Sequence, residues 1–319
     1  MRVGQNPAKS VERVAQPRDV TVAIVTYIPF LSGYYAQSLD VLKLSLSSLK
    51  ANTPEPFDLM IFDNGSGEET SAYLQDEYAM GNIQYLVLSE KNLGKGGAWN
   101  FVFGAAPGEI IAYADSDIYF REGWLSRSLE IMDGFPNTGM VTGRPLRSKE
   151  RYFSKTLEWA RQTNGVRLEK GQYLSWEVFS EHSLSCGVSL EQTREWFQTS
   201  HDWEIAYGQL CAYAGAAHFQ FVSKKQVLQS LLPFEMDKPM GQVRTLDEKL
   251  NEKGYLRLMT CDPLIVHMGN VVPAREDVLS QDSQGVNAQK LLWNWPPIKR
   301  TLLYFYNKIF QLYFERMRD

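Results

Sequence analysis

The chain has 319 residues, 44% hydrophobic and 22% charged, enough to bury one large core or two small ones. Its net charge of −4 argues against general nucleic-acid binding, which normally shows as a basic excess. Three cysteines, Cys186, Cys211 and Cys261, in no C-x-x-C pattern predict reduced thiols in a cytosolic protein, with no zinc site readable from their spacing.

Residues 1–19 lack the apolar core of a signal peptide and read as a flexible N-terminal segment, and no apolar run reaches membrane-spanning length. Strand-like and helix-like segments then alternate, the α/β pattern of a mainly parallel sheet flanked by helices. Val20 to Tyr27 reads as a strand, and Ser38 to Lys50 as a helix with Leu39, Leu42, Leu46 and Leu49 on one face. Phe57 to Phe62 is a second strand, closed by the turn sequence Asp63-Asn64-Gly65-Ser66. Ile83 to Leu88 is a third, followed by the loop Ser89 to Gly94 and a helix from Gly97 to Ala106. A fourth apolar run, Glu109 to Ala114, ends in Asp115-Ser116-Asp117. Carboxylates at i and i+2 are costly to bury unpaired. They suit Mg2+ or Mn2+ as hard oxygen ligands, and the C-terminal edge of an open α/β sheet is where ligands bind. Each motif alone has an ordinary reading as a turn, a helix entry or a solvated loop; their occurrence together at successive strand ends points to function.

Four strings in this order, Val22-Ala23-Ile24-Val25-Thr26-Tyr27, Asp63-Asn64-Gly65-Ser66, Asn92-Leu93-Gly94-Lys95-Gly96-Gly97-Ala98-Trp99-Asn100 and Asp115-Ser116-Asp117, resemble the nucleotide-sugar half of inverting glycosyltransferases of family 2, which have the GT-A fold. The resemblance runs from about Val20 to Arg147. It implies a GT-A domain over residues 20–285, with a nucleotide-sugar half at 20–147 and an acceptor half at 148–285. It further implies that Thr26, Asp63, Asn92, Gly94, Gly97, Asn100 and Ser116 bind the donor. Asp115 and Asp117 would then hold Mn2+ or Mg2+ on the donor's diphosphate. Lys95 and Arg121 lie near these loops in sequence, where the ordinary reading is a solvated surface cation.

Between about Lys149 and Tyr213 no family pattern is recognisable, and aromatics abound, including Tyr152, Trp159, Tyr173, Trp176, Trp196 and Trp203. Aromatic faces stack on sugar rings, so an acceptor site is one reading and the core of an inserted helical layer is the other. Ala216 to Phe234 reads as a strand followed by a helix. It resembles the family's segment ahead of its acceptor-side motif, a Glu-Asp pair before a helix and Gly-Tyr. Here Asp247-Glu248 precedes Gly254-Tyr255 in reversed order and at a shorter distance, in a helix read from Leu246 to Lys253. Thr245-Leu246-Asp247-Glu248 also satisfies the S/T-x-x-E capping box, which gives Glu248 a capping role. Asp247 is left as the leading catalytic base, with Asp237 and Glu235 as competitors. His267 follows the apolar run Leu264-Ile265-Val266. The resemblance implies a metal-ligating histidine at this place, and a hydrogen-bonded structural role is the alternative. His182, His201 and His218 lack such a context and read as structural or acceptor-side.

The tail, residues 286–319, changes texture. Ile298 to Met317 reads as an aromatic helix whose cations Lys299, Arg300, Lys308 and Arg316, with Arg318 beyond, outnumber the acids Glu315 and Asp319. It suits peripheral contact with a membrane carrying a lipid-linked acceptor, or packing on the catalytic domain or on a second copy in a homo-oligomer. The expected function is metal-dependent, inverting transfer of a sugar from a nucleoside-diphosphate sugar to a hydroxyl of a glycan or glycolipid. That chemistry belongs to polysaccharide and cell-envelope biosynthesis, in the cytoplasm or on the cytoplasmic face of a membrane. One rival is a sugar-phosphate nucleotidylyltransferase, which needs a glycine-rich phosphate loop where Thr26-Tyr27-Ile28-Pro29-Phe30-Leu31 stands. The other is a non-catalytic nucleotide-sugar-binding module of the same fold.

Overall fold

The structure, a computed structural model, describes residues 3–240, 242–273, 304–305 and 307–312. In chain order the elements are β1 (Val20–Thr26), α1 (Ser38–Ala51), β2 (Phe57–Asp63), α2 (Glu68–Ala79), β3 (Tyr85–Leu88), α3 (Gly94–Ala105), β4 (Ile110–Asp115), β5 (Ile118–Phe120), α4 (Trp124–Gly134) and β6 (Thr138–Thr142). There follow α5 (Ser154–Gln162), β7 (Val166–Gly171), α6 (Trp176–Ser185), α7 (Leu190–Thr199), β8 (Asp202–Tyr207), β9 (Leu210–Ala214), β10 (Gln220–Lys224), α8 (Lys225–Gln229), α9 (Gln242–Glu252), β11 (Leu256–Met259) and β12 (Ile265–His267).

Ten strands form one sheet in the order β3-β2-β1-β4-β10-β6-β11-β9-β8-β7, while β12 pairs with β5 in a small second sheet. In the large sheet seven strands run one way, and β7, β9 and β10 run the other. The α/β architecture with a mainly parallel sheet is the one the sequence predicts. Its central strands are apolar at nearly every position because both faces are covered. Val22, Ile24, Ala112 and Ala114 pack with Leu42, Leu46 and Leu49 of α1 in one cluster. The alternate residues Ala23, Ile111 and Tyr113 pack with Trp99, Val102 and Phe103 of α3 in another. Registers Thr26↔Asp63 and Val25↔Asp115 then bring three strand ends side by side on one rim.

Several local expectations change. Helix α2 escapes sequence reading because it buries only Thr70 and Leu74, too narrow a stripe to show a period. Helix α3 begins at Gly94 and not at Gly97. The stretch from 149 to 213 is no purely helical insertion, since β7, β8 and β9 extend the main sheet at its far edge. The half-exposed faces of β7 and β8 weaken the apolar signal there. Helix α9 starts at Gln242, so Thr245 lies inside it and cannot act as its N-cap; the capping box is overturned. Cys211 and Cys261, far apart in sequence, have sulfurs 3.2 Å apart.

Two buried arginines fasten α6 and α7 to the strand β6. Arg144 donates to the Val178 carbonyl and pairs with Glu181 at 3.3 Å. Arg147 makes two bonds to Asp202, at 2.7 and 3.0 Å, and two more to the carbonyls of Phe197 and Ser200. The expected tail helix within residues 286–319 lies largely outside the described residues. Its described parts, 304–305 and 307–312, are helical, and the ring of Phe310 stands 6.4 Å from that of Tyr35. No helix among the described residues is long and apolar enough to cross a membrane.

The fully buried Phe221 of β10 stacks on Tyr113 of β4, with centroids 5.1 Å apart, and so joins the reversed strand to the centre of the sheet. Phe221→Ala is expected to cost about 3–5 kcal/mol of stability, measured as a fall in the urea midpoint at unchanged slope.

Candidate active site

Three layers of side chains build the rim. The outermost is a lattice of amides over the ends of β1 and β2. Asn64 accepts the Leu93 amide N–H at 2.8 Å and donates to Asn92 Oδ1 at 3.1 Å, while Asn92 Oδ1 also accepts the N–H of Gly94 at 2.8 Å. Beneath it, Asp63 is buried and spends its carboxylate on the Ser66 N–H at 3.1 Å and the Ser71 hydroxyl at 2.9 Å. Burial raises its pKa despite these bonds. Thr26 is buried beside it, its hydroxyl without a partner among the described residues.

A cavity of about 590 Å³ opens over this lattice, lined among others by Tyr27, Gly65, Asn92, Gly94, Asp237 and Phe310. Gly94 and Gly97 are needed for packing around it. A Cβ on Gly94, at φ +68, would meet the Lys238 carbonyl at 2.6 Å, and one on Gly97 would meet Met236 Sδ at 3.0 Å. These glycines therefore let the loop around residues 236–239 lie against the first turn of α3. Asn100 is spent on the same junction. Its amide donates to the Phe234 carbonyl at 2.8 Å and accepts the Phe234 N–H at 2.7 Å, and it does not line the cavity.

The second layer is ionic. Lys95 is only 9% exposed, so the reading of a solvated surface cation is wrong for it. Its ammonium lies 2.7 Å from Asp115 Oδ2, and the Tyr113 hydroxyl donates to Asp115 Oδ1 at 2.6 Å. Arg121 is likewise occupied, donating to the Pro263 carbonyl at 3.0 Å. Ser116 is half-buried in the turn between β4 and β5. Asp117 Oδ2 lies 3.4 Å from His267 Nε2, and its Oδ1 is sealed from solvent with no hydrogen-bond partner among the described residues. Burial raises the Asp117 pKa, with His267 opposing the rise. His267 also bonds through Nδ1 to the Ser185 hydroxyl at 2.9 Å. The strand pairing of β12 with β5 delivers His267 opposite Ile118, next to the carboxylates.

The third layer faces them from the second half of the chain. Asp247 is buried and ion-paired with the fully buried Arg257, which also donates to the carbonyls of Tyr152 and Ala216 at 2.7 and 2.9 Å. Burial outweighs this partner and pushes the Asp247 pKa up to about 6. The other Asp247 oxygen lies 4.0 Å from Nδ1 of His218, whose side chain is 36% exposed. Burial, aided by the Lys95 charge, pulls His218 down to about 4, so it is neutral at pH 7. Sequence reading passed over this histidine because its partners come from distant segments. Asp237 and Glu235 are exposed, and Glu248 is exposed too. Of the aromatics between 149 and 213, Trp159 packs in the core against Phe135 and Tyr207, whereas Tyr173 and Trp196 are exposed.

The family model described as Glycosyl transferase family 2 matches residues 34–196. An uncharacterized glycosyltransferase of Nostoc sp. is 28% identical over 100 residues, covering 31% of this chain and 31% of that protein. Among solved structures, a mannosyltransferase from Pyrobaculum calidifontis in complex with GDP-Man and Mn2+ superposes with a TM-score of 0.49. Its identity is 16%, over 82% of this chain and 59% of that one. S. aureus TarS 1-349 superposes with a TM-score of 0.43 at 14% identity, over 77% of this chain and 58% of that one. The chain thus spans about a third of the curated relative's length.

Replacing Lys95 by Met strands the Asp115 carboxylate at the end of β4. A loss of about 1.5–3 kcal/mol is expected, the range for a hydrogen bond to a charged group, read by chemical denaturation against the wild type.

Proposed function

Because the chain belongs to glycosyl transferase family 2, we propose that it moves a sugar from a nucleoside-diphosphate donor to an acceptor hydroxyl, by inverting single displacement. The observation that carries this reading is the convergence on one rim of the Asn64/Asn92 lattice, the Asp115, Asp117 and His267 donors, and the Asp247/His218 pair. The donor's nucleoside fits the cavity over the lattice, whose walls are partly aromatic through Tyr27 and Phe310; Thr26, its hydroxyl sealed, lies behind that wall and does not line it.

Asp115, Asp117 and His267 are the ligand types a divalent cation takes, and Asp115 would join them by giving up its bond to Lys95 or Tyr113. The sealed, partnerless Oδ1 of Asp117 is a carboxylate oxygen lacking a donor, and two carboxylates with an imidazole suit Mn2+ or Mg2+. When bound there, the cation supplies Lewis-acid charge to the leaving diphosphate. Lys95 keeps a further positive charge at the same rim in a site of low water content, where fixed charge acts strongly on developing anions.

On the acceptor side, Asp247 serves as the base. Its environment tunes it toward the working pH, as a general base requires, and the half-exposed His218 stands 4.0 Å from it. The acceptor is a glycan or lipid-linked hydroxyl, with the exposed Tyr173 and Trp196 as candidate stacking surfaces.

Incubation with UDP, GDP, dTDP and CDP sugars and Mn2+ should release nucleoside diphosphate. Release of pyrophosphate would point to a nucleotidylyltransferase, and failure to turn over or bind any donor would sink the reading. Calorimetry of the Asp115→Ala/Asp117→Ala double variant should show loss of both metal and donor uptake. Since the base must be deprotonated, kcat/KM should be present above pH about 6 and fall as pH drops through it; an acid limb near 4 would assign the base to His218 instead. Asp247→Asn should slow transfer by about 10²–10⁴-fold while sparing donor binding. Near-normal turnover would move the role to Asp237 or Glu235.

A further inference from the structure

We propose that His182, Cys186 and His267 form a second cation site, for a borderline transition metal such as Zn2+, which shares His267 with the carboxylate rim. His182 lies in the last turn of α6 and Cys186 caps that helix, so the two stand at i and i+4 on one helical face, the spacing at which side chains meet. Cys186 Sγ is 3.9 Å from His182 Nε2. The ring of His267, from the end of β12, stands 5.8 Å from that of His182. One ligand atom from each of the three lies within 4.8 Å of the others. Zinc bonds of about 2.0–2.3 Å in a tetrahedron set ligands roughly 3.3–3.8 Å apart, so side-chain movements of about 1 Å close the site.

The donor set differs in kind from the rim beside it. Thiolate and imidazole favour zinc, whereas oxygen ligands favour Mg2+ and Mn2+. His182 Nδ1 is sealed without a hydrogen-bond partner among the described residues, so no such bond dictates which ring nitrogen carries the proton. The neighbouring Arg144 is balanced by Glu181. Uptake of Zn2+ replaces the Cys186 thiol proton, which leaves to solvent as the sulfur–metal bond forms. Cys186 is exposed, and a cavity of about 150 Å³ lined by Arg147, Val178, His182, Cys186 and Trp196 offers a way in. Three protein ligands leave a fourth position for water or for Asp117, whose carboxylate lies beside His267.

Zinc on His267 takes the imidazole away from Asp117, so zinc inhibits transfer. That consequence rests on the proposed function, whereas the site itself does not. The test titrates the full chain with Co2+ as a spectroscopic stand-in for zinc. A thiolate-to-cobalt charge-transfer band should appear with one equivalent, vanish in Cys186→Ser, and require at least about tenfold more Co2+ in His182→Ala. The exposed position of Cys186 keeps Cys186→Ser folded, which circular dichroism checks. Absence of the band in the wild type, or its persistence in Cys186→Ser, overturns the site. In a transfer assay with Mn2+, Zn2+ should inhibit the wild type and spare Cys186→Ser, whose rate without zinc is unchanged. Equal inhibition of both overturns the coupling. A wrong donor reading shows itself differently, as no turnover in any zinc-free sample while the cobalt band remains.

Discussion

The ion pair between Lys95 and Asp115 ties together the parts of this protein that matter for its chemistry. Lys95 sits in the first turn of α3, the helix that follows the Asn92 loop, and Asp115 closes β4 at the centre of the sheet. The ammonium also lies 5.4 Å from the Trp99 ring centre and 5.8 Å from that of Tyr113, so apolar faces share in holding it. A buried cation of this kind is tolerable only because its partner is fixed, and the partner is fixed by β1 and β10 on either side of β4. Loop, helix and sheet therefore settle into one arrangement together. The rim inherits a set of opposed charges in which Lys95, Asp115, Asp117 and His267 temper one another.

Around that pair, the chain uses small residues and amides to bring its two halves into contact. Gly94 and Gly97 let the loop around 236–239 approach α3, and Asn100 clamps the Phe234 backbone from the same helix. Residues whose motif suggests contact with a nucleotide thus also hold the second half of the chain against the first. A cavity lined from both sides follows directly. Asp63 shows the same economy, since its carboxylate organises the turn that frames the cavity.

The packing of α6, α7 and α9 depends on buried arginines. Arg144 and Arg147 anchor α6 and α7 through carbonyls and carboxylates, and Arg257 fixes Asp247 between the backbone of distant segments. Each guanidinium makes several bonds at once, which compensates the cost of removing it from water. Because α6 is held in this way, His182 and Cys186 are carried to the edge of the rim, next to His267.

The strand ends, the rim position of Asp115 and Asp117 and the family follow from the sequence alone, because each rests on patterns a few residues long. A run apolar on both faces marks a central strand, and acids at its end must lie outside the core. Tertiary structure decided what those patterns do not contain. Helix α2 was silent because so little of it is buried, and β7 and β8 were hidden by their half-exposed faces. Lys95 looks like any surface lysine until Asp115 meets it, and Asp247 is the leading of three candidate bases in sequence, beside Asp237 and Glu235, until Arg257 and His218 enclose it. His182, Cys186 and His267 form no motif in the linear chain and become neighbours only when α6 packs beside β12. Periodicity is a property of adjacent residues, whereas burial, charge balance and ligand geometry come from segments that meet only on folding.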